Sequence, residues 1–94
     1  MKTDKKQTEK TSLFLHAIAE KNRFEILRFL KNDEKCVCEI WKHLKIPQNL
    51  ASHHLKILKN LGLITAKKQG LWIICKLNKK NLKQNIKFLD NLFS

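Results

Sequence analysis

The stretch KCVCEIWKHLKIPQNLASHHLKILKNLGLI, residues 35–64, places two short helical patterns on either side of an Ile46-Pro47 step. Ile40, Trp41 and Leu44 are the apolar positions of the first, and the residue before a proline avoids helical geometry, so that helix ends there. The second, Gln48 to Leu61, carries Ala51, Leu55 and Leu58 on one stripe with Leu50, Ile57 and Leu61 beside it, and Gly62 supplies the stop. Gln48, Asn49, Ser52, His53, Lys56 and Lys59 fall on the opposite side. A short helix, a break and an amphipathic second helix are the parts of a helix-turn-helix, whose second helix enters the major groove. That helix needs side chains that hydrogen-bond to base edges and others that hold phosphates. Gln48, Asn49, Ser52 and His53 suit the first task, Lys56 and Lys59 the second. His54 lies on the flank of the apolar stripe and is expected to pack or to face phosphate.

Downstream, Leu63 to Lys68 and Leu71 to Leu77 read as two strands joined by a Gln69-Gly70 turn, with Lys67 and Lys68 near the tip in reach of backbone or minor groove. A last helix from about Lys79 to Phe93 repeats Leu82, Ile86, Leu89 and Phe93, widened by Phe88 and Leu92, a broad apolar face for the end of a small monomer. Upstream, Leu13, Phe14, Ala17 and Ile18 mark a first helix from Thr11. Asn22 reads as the cap of a second helix, with Glu25 three residues on as in a capping box and Phe24, Ile26, Leu27 and Leu30 as its buried stripe. The expected architecture is mainly α with a small β-hairpin: a winged helix-turn-helix of about five helices plus a two-stranded wing. Residues 1–10 are expected to be a flexible basic tail and residues 11–94 one DNA-binding and dimerisation domain.

Ninety-four residues build a modest core, for which association with a second copy is the natural remedy. Twenty Lys and Arg against eight Asp and Glu, a net charge of +12, call for a polyanionic partner, and double-stranded DNA fits the helix-turn-helix. No apolar run approaches the length of a membrane span, and the polar Met1 to Lys10 is no signal core, so a cytoplasmic protein without a membrane partner is expected. Three Cys are an odd number for a disulfide framework and suit packing, metal binding or redox chemistry in a reducing compartment. With two Gly, no nucleotide-type loop and no cluster of acidic residues, an enzyme is not expected.

Cys36-Val37-Cys38-Glu39-Ile40, Ala51 through Leu58, Gly62-Leu63-Ile64 and Gly70-Leu71-Trp72, together with Ala17-Ile18-Ala19 and Arg23 through Leu27, resemble the ArsR/SmtB family from about Phe14 to the end of the chain. The resemblance implies a winged-helix homodimer, paired through first and last helices. It would repress metal or metalloid resistance genes and leave its operator when an inducer binds. Carried over, Gln48, Ser52 and His53 match the operator-reading positions, and Cys36 and Cys38 the thiols of arsenic, antimony, cadmium or lead sensors. Phe14, Leu82, Ile86, Leu89 and Phe93 would then form the dimer interface. The chain departs from the pattern at Trp41, where arsenic sensors have a third Cys, at Pro47, where Ser or Thr is usual, and at Leu71, where a wing Arg is common. The last helix lacks the His and acidic pattern of the zinc-sensing members.

Residues two apart diverge in a helix and share a face in an extended segment, so the sulfurs of Cys36 and Cys38 converge only if the chain is extended or just entering the helix there. Thiols near a helix N-terminus among lysines ionise more readily. Two thiolates are too few for a trivalent metalloid or a tetrahedral metal. Winged-helix folds often pair the segment before the third helix with the second wing strand, which makes Cys75 a candidate third ligand; its alternation with Ile73 and Leu77 equally suits a packed thiol. His16, Glu39 and His43 are weaker candidates. The expected function is therefore an operator-binding repressor with no permanent cofactor, induced by As(III) or Sb(III), with Cd(II) or Pb(II) next. The alternatives are a thiol redox or persulfide sensor, although a Cys-x-Cys disulfide is expected to be strained, and a winged-helix interaction module without metal sensing.

Overall fold

The computed structural model describes residues 5–94 in the order α1 (Lys5–Ala19), α2 (Lys21–Phe29), β1 (Lys35–Cys36), α3 (Val37–Leu44), α4 (Gln48–Asn60), β2 (Ile64–Gln69), β3 (Trp72–Leu77) and α5 (Lys79–Phe93). The expected five helices and wing are present, and β1 adds a third strand. It pairs antiparallel with β3, giving the order β1-β3-β2.

Local chemistry accounts for most boundaries, and two differ from expectation at the N-terminal end. Of the segment expected to be a flexible tail, residues 5–10 are the opening turns of α1, while Met1 to Asp4 lie outside the described residues. Lys, Gln and Glu are good helix formers, and this segment extends a helix already anchored by buried Thr11, Phe14 and Ala17. The cap of α2 is Glu20 rather than Asn22: extended at φ −76°, ψ 130°, it accepts the N–H of Arg23 at 2.8 Å. Starting the helix earlier puts Asn22 inside it and turns Phe24 outward, 51% exposed, while Arg23 goes in.

Two turns depend on left-handed residues. Gly62, at φ +76°, ends α4 in a Schellman arrangement, its N–H donating to the Lys59 carbonyl and that of Leu63 to the Leu58 carbonyl. The hairpin turn falls on Gly70-Leu71, one residue later than expected, because Gln69 pairs with Trp72; Gly70, at φ +61°, takes the first central position that a type II′ turn reserves for glycine. Between α3 and α4, Lys45 adopts φ 57° and ψ 43°, a conformation costly for any residue with a Cβ. Lys45→Gly is expected to stabilise the protein by about 0.5–1 kcal/mol, net of the entropy glycine adds to the unfolded chain. Urea unfolding at fixed protein concentration checks this, and an unmoved or lower midpoint would refute it.

The core gathers Phe14, Ile26, Leu27, Leu30, Ile40, Leu55, Leu58, Leu63, Ile64, Cys75 and Leu77 from α1 to α4, β2, β3 and the turns beside them, with none from β1 or α5. Phe14, carried over above as a dimer-interface residue, is 3% exposed within the subunit, because Thr11, Phe14 and Ala17 form the inner stripe of α1. Helix α5 has no fully buried residue: Leu82 and Leu89 are half-buried, while Ile86 and Phe93 are 52% and 87% exposed. Among the described residues no helix is long and apolar enough to cross a membrane.

Candidate nucleic-acid interface and thiol pair

Helix α4 presents two chemically distinct faces. Ala51, His54, Leu55 and Leu58 are buried at i, i+3, i+4, i+7 spacing. Gln48, Asn49, Ser52, His53, Lys56 and Lys59 are all exposed, so every α4 residue assigned to DNA on sequence grounds is available to a ligand. Pro47 precedes the helix with extended ψ 147° and no side-chain cap; its carbonyl accepts the N–H groups of Leu50 and Ala51, both at 3.1 Å.

The wing carries the other two residues assigned to DNA. Lys67 and Lys68 are exposed on β2, and because Lys67 pairs with Ile74 and Lys68 with Ile73 they emerge on opposite faces of the hairpin. Leu71 is 95% exposed at the tip, a bare apolar side chain between Gly70 and Trp72.

Cys36 ends β1 and caps α3, extended at φ −68°, ψ 148°. Its sulfur accepts the N–H of Cys38 at 3.1 Å while its own N–H donates to Glu39 Oε1 at 2.9 Å, a capping box with sulfur in place of the usual hydroxyl. The chain is therefore extended at Cys36 and only entering the helix at Cys38, the one geometry in which two such sulfurs converge. The structure joins them as a disulfide, with the Cα atoms 5.3 Å apart.

The third-ligand candidates are placed elsewhere. β1 does pair with β3, but Cys75 stands opposite Lys35 and Cys36 opposite Ile74. Directly paired residues share a face and neighbours alternate, so this register sends Cys36 and Cys75 to opposite sides of the sheet. Cys75 is 1% exposed within the core, and burial pushes its thiol pKa up against the opposing pull of Lys59, a packed thiol rather than a thiolate. Glu39 is occupied in the capping box. His43 stacks on Phe29 with centroids 4.0 Å apart and bonds Glu25 at 3.0 Å; that hydrogen bond holds the Glu25 carboxyl below its ordinary value. His16 lies exposed on α1. Among the described residues no three His, Cys, Asp or Glu side chains are grouped to hold a metal.

A buried polar contact was missed on sequence grounds. Arg23 and His54, 7% and 6% exposed, meet with Arg23 Nη1 3.1 Å from His54 Nδ1. Its signal was present: Arg23 with Ile26, Leu27 and Leu30, and His54 with Ala51, Leu55 and Leu58, each complete an i, i+3, i+4, i+7 stripe, and a polar residue on such a stripe needs a buried partner. Of the two readings open for His54, packing is the one realised.

Residues 20–66 match the family described as bacterial regulatory protein, arsR family. An HTH-type transcriptional regulator of Methanocaldococcus jannaschii is 39% identical over 85 residues, covering 89% of this chain and 96% of that protein. The arsenical resistance operon repressor of Staphylococcus xylosus is 34% identical over 79 residues, 84% of this chain and 69% of the repressor. Among solved structures, HlyU from Vibrio cholerae aligns with a TM-score of 0.78 at 29% identity, over 96% of this chain and 98% of HlyU. With its two-faced α4, its lysine-flanked wing and these relatives, the chain belongs to the arsR family of bacterial regulatory proteins, DNA-binding transcriptional regulators built on a winged helix.

Proposed function

We propose that this protein is a homodimeric operator-binding repressor whose grip on DNA is released when a thiophilic ion binds Cys36 and Cys38, arsenite or antimonite ahead of cadmium or lead. The observation that carries this reading is the position of the pair: Cys36 is at once a sulfur donor and the cap of α3, the first helix of the DNA-reading motif. Drawing its sulfur into bonds with an ion takes the acceptor from the Cys38 N–H. Losing a helix cap costs about 0.5–2 kcal/mol, with a weak sulfur acceptor at the lower end. A ligand shifts an equilibrium only through differential affinity, so the ion must favour the conformation with α3 uncapped and the two recognition helices out of their spacing, about 34 Å or one turn of duplex. The two thiolates supply two of the three bonds a trivalent metalloid takes; the third falls to a group other than the described His, Cys, Asp and Glu side chains, which form no cluster with them. The similarity to an arsenical resistance operon repressor supports this choice of ion.

Homodimerisation is supported by α5. Its exposed Ile86 borders an apolar groove of about 300 Å³ with Ile18, Phe24, Leu27, Leu82 and Leu89, a surface that a second copy, presenting the same α1 and α5 about a two-fold axis, would cover.

A second reading, thiol oxidation as the signal, is favoured by the disulfide between the same sulfurs and by the lack of a grouped third ligand among the described residues. One experiment separates the two. Fluorescence anisotropy on an inverted-repeat duplex selected from a random pool is followed while the reduced protein is titrated with arsenite, cadmium and zinc, and separately with hydrogen peroxide or an organic persulfide. Arsenite is expected to weaken binding at least about tenfold. Cys36→Ser and Cys38→Ser should abolish the response, and serine at position 36 keeps a capping oxygen, so DNA binding itself survives. A response to oxidant and none to ions would establish the second reading; no response to either would sink both.

A further inference from the structure

Three polar side chains meet where α1, α2 and α4 come together. Arg23 donates from Nε to the carbonyl of Ala17 at 2.8 Å, in the last turn of α1, and from Nη1 to His54 Nδ1 at 3.1 Å. A guanidinium has donors only, so Nδ1 must be the lone-pair acceptor and the neutral ring carries its proton on Nε2. Glu20 Oε1 lies 3.8 Å from the same Nδ1 and already accepts the Arg23 N–H as the cap of α2. His54 shares its helical turn with Ser52 and His53 on the outward face of α4.

We propose that Arg23 and His54 are a positioning pair for DNA reading: neutral His54 anchors the recognition helix to the α1–α2 joint, and its protonation releases that anchor and weakens operator binding. The inference rests on the reading of α4 as the DNA-recognition helix. A proton on Nδ1 removes the acceptor that Arg23 Nη1 uses, leaves only the Nε bond to Ala17, and sets imidazolium against the guanidinium. The nearest acceptor for the new N–H is Glu20 Oε1, so satisfying it competes with the cap of α2. The charged or titratable groups facing His54 are Glu20 at the α1–α2 junction, Arg23 on α2 and His53 on α4, whose ring centroid is 5.7 Å away. Burial pushes the His54 pKa down, with Glu20 opposing and Arg23 and His53 adding to the shift. A depressed histidine leaves stability whole above the ordinary value, about 6.5, and erodes it as pH falls below. Exposed histidines act the other way, since each proton gained on a basic surface adds a cation and tightens contact with phosphates. A loss of operator affinity on acidification therefore runs against the general trend and marks the pair.

The test measures the dissociation constant for the selected inverted repeat and for a random duplex between about pH 7.5 and pH 5.5, across the histidine range. The wild-type protein should bind the selected duplex about tenfold more weakly at the acidic end, a typical coupling, while the random duplex is held as well or better. His54→Asn keeps an acceptor for Arg23 that does not titrate, so its loss should stay below about twofold. Coincident wild-type and variant profiles overturn the proposal. Long-range proton–nitrogen NMR of the imidazoles gives a second arm that needs no DNA and no variant: Nδ1 of His54 should be unprotonated at neutral pH, and a protonated Nδ1 there refutes the pair. A wild-type protein that shows no preference for any selected duplex would instead strike the DNA-reading of α4, with the NMR arm still judging the anchor.

Discussion

Replacing Arg23 with methionine should destabilise the fold by about 2–6 kcal/mol, because it strips a donor from each of two buried acceptors at about 1–3 kcal/mol apiece while roughly preserving volume. Those acceptors are the Ala17 carbonyl and His54 Nδ1, and Arg23 itself is only 7% exposed. Arg23→Lys should recover only part of the loss, since one ammonium cannot reproduce the fork that spans both partners. Urea unfolding at a fixed protein concentration, which matters if the protein dimerises, supplies the numbers. A double-mutant cycle with His54→Asn isolates the contact between the two side chains. A loss under about 0.5 kcal/mol for Arg23→Met would show that water replaces the guanidinium freely and that α4 is not anchored through it.

The second large effect concerns DNA rather than stability. Gln48→Ala with Ser52→Ala should lower affinity for the selected duplex by about 10- to 100-fold, given about 1–3 kcal/mol of discrimination per good base contact. Both residues are exposed and make no described hydrogen bond through their side chains, so unfolding should move by less than about 0.5 kcal/mol. Lys56→Ala or Lys59→Ala should weaken selected and random duplexes alike and reduce the salt slope by about one. If the Gln48/Ser52 pair also weakened both duplexes equally, these residues would be phosphate contacts and sequence would be read elsewhere on the surface.

Much of the candidate site was legible because helix faces are set by neighbours three and four residues away. The polar side of α4 emerged exposed as read, and the run from Gly62 into the hairpin needed only the local demand for positive φ at Gly62 and Gly70. The same logic failed where a local signal had two readings. Asn22 with Glu25 satisfies a capping box on paper, yet Glu20 caps α2, and the frame that follows takes Arg23 inward and Phe24 outward. The early start of α1 was missed because its polar first turns bury almost nothing and so carry no apolar period.

By itself the amino-acid sequence determined the helix-turn-helix, the wing, the polar, lysine-bearing face of α4 and the condition that Cys36 and Cys38 converge only where the chain is extended or just entering a helix, since each follows from backbone periodicity and preference within a few residues. Only the tertiary structure decided which groups distant in the chain meet. The β1–β3 register places Lys35, not Cys36, opposite Cys75, and a one-residue difference in pairing is enough to put two thiols on opposite faces of a sheet. Packing of α2 on α4 brings Arg23 to His54 across 31 residues. Strand register and buried polar partnership are properties of two segments at once, and no local pattern in either segment contains them.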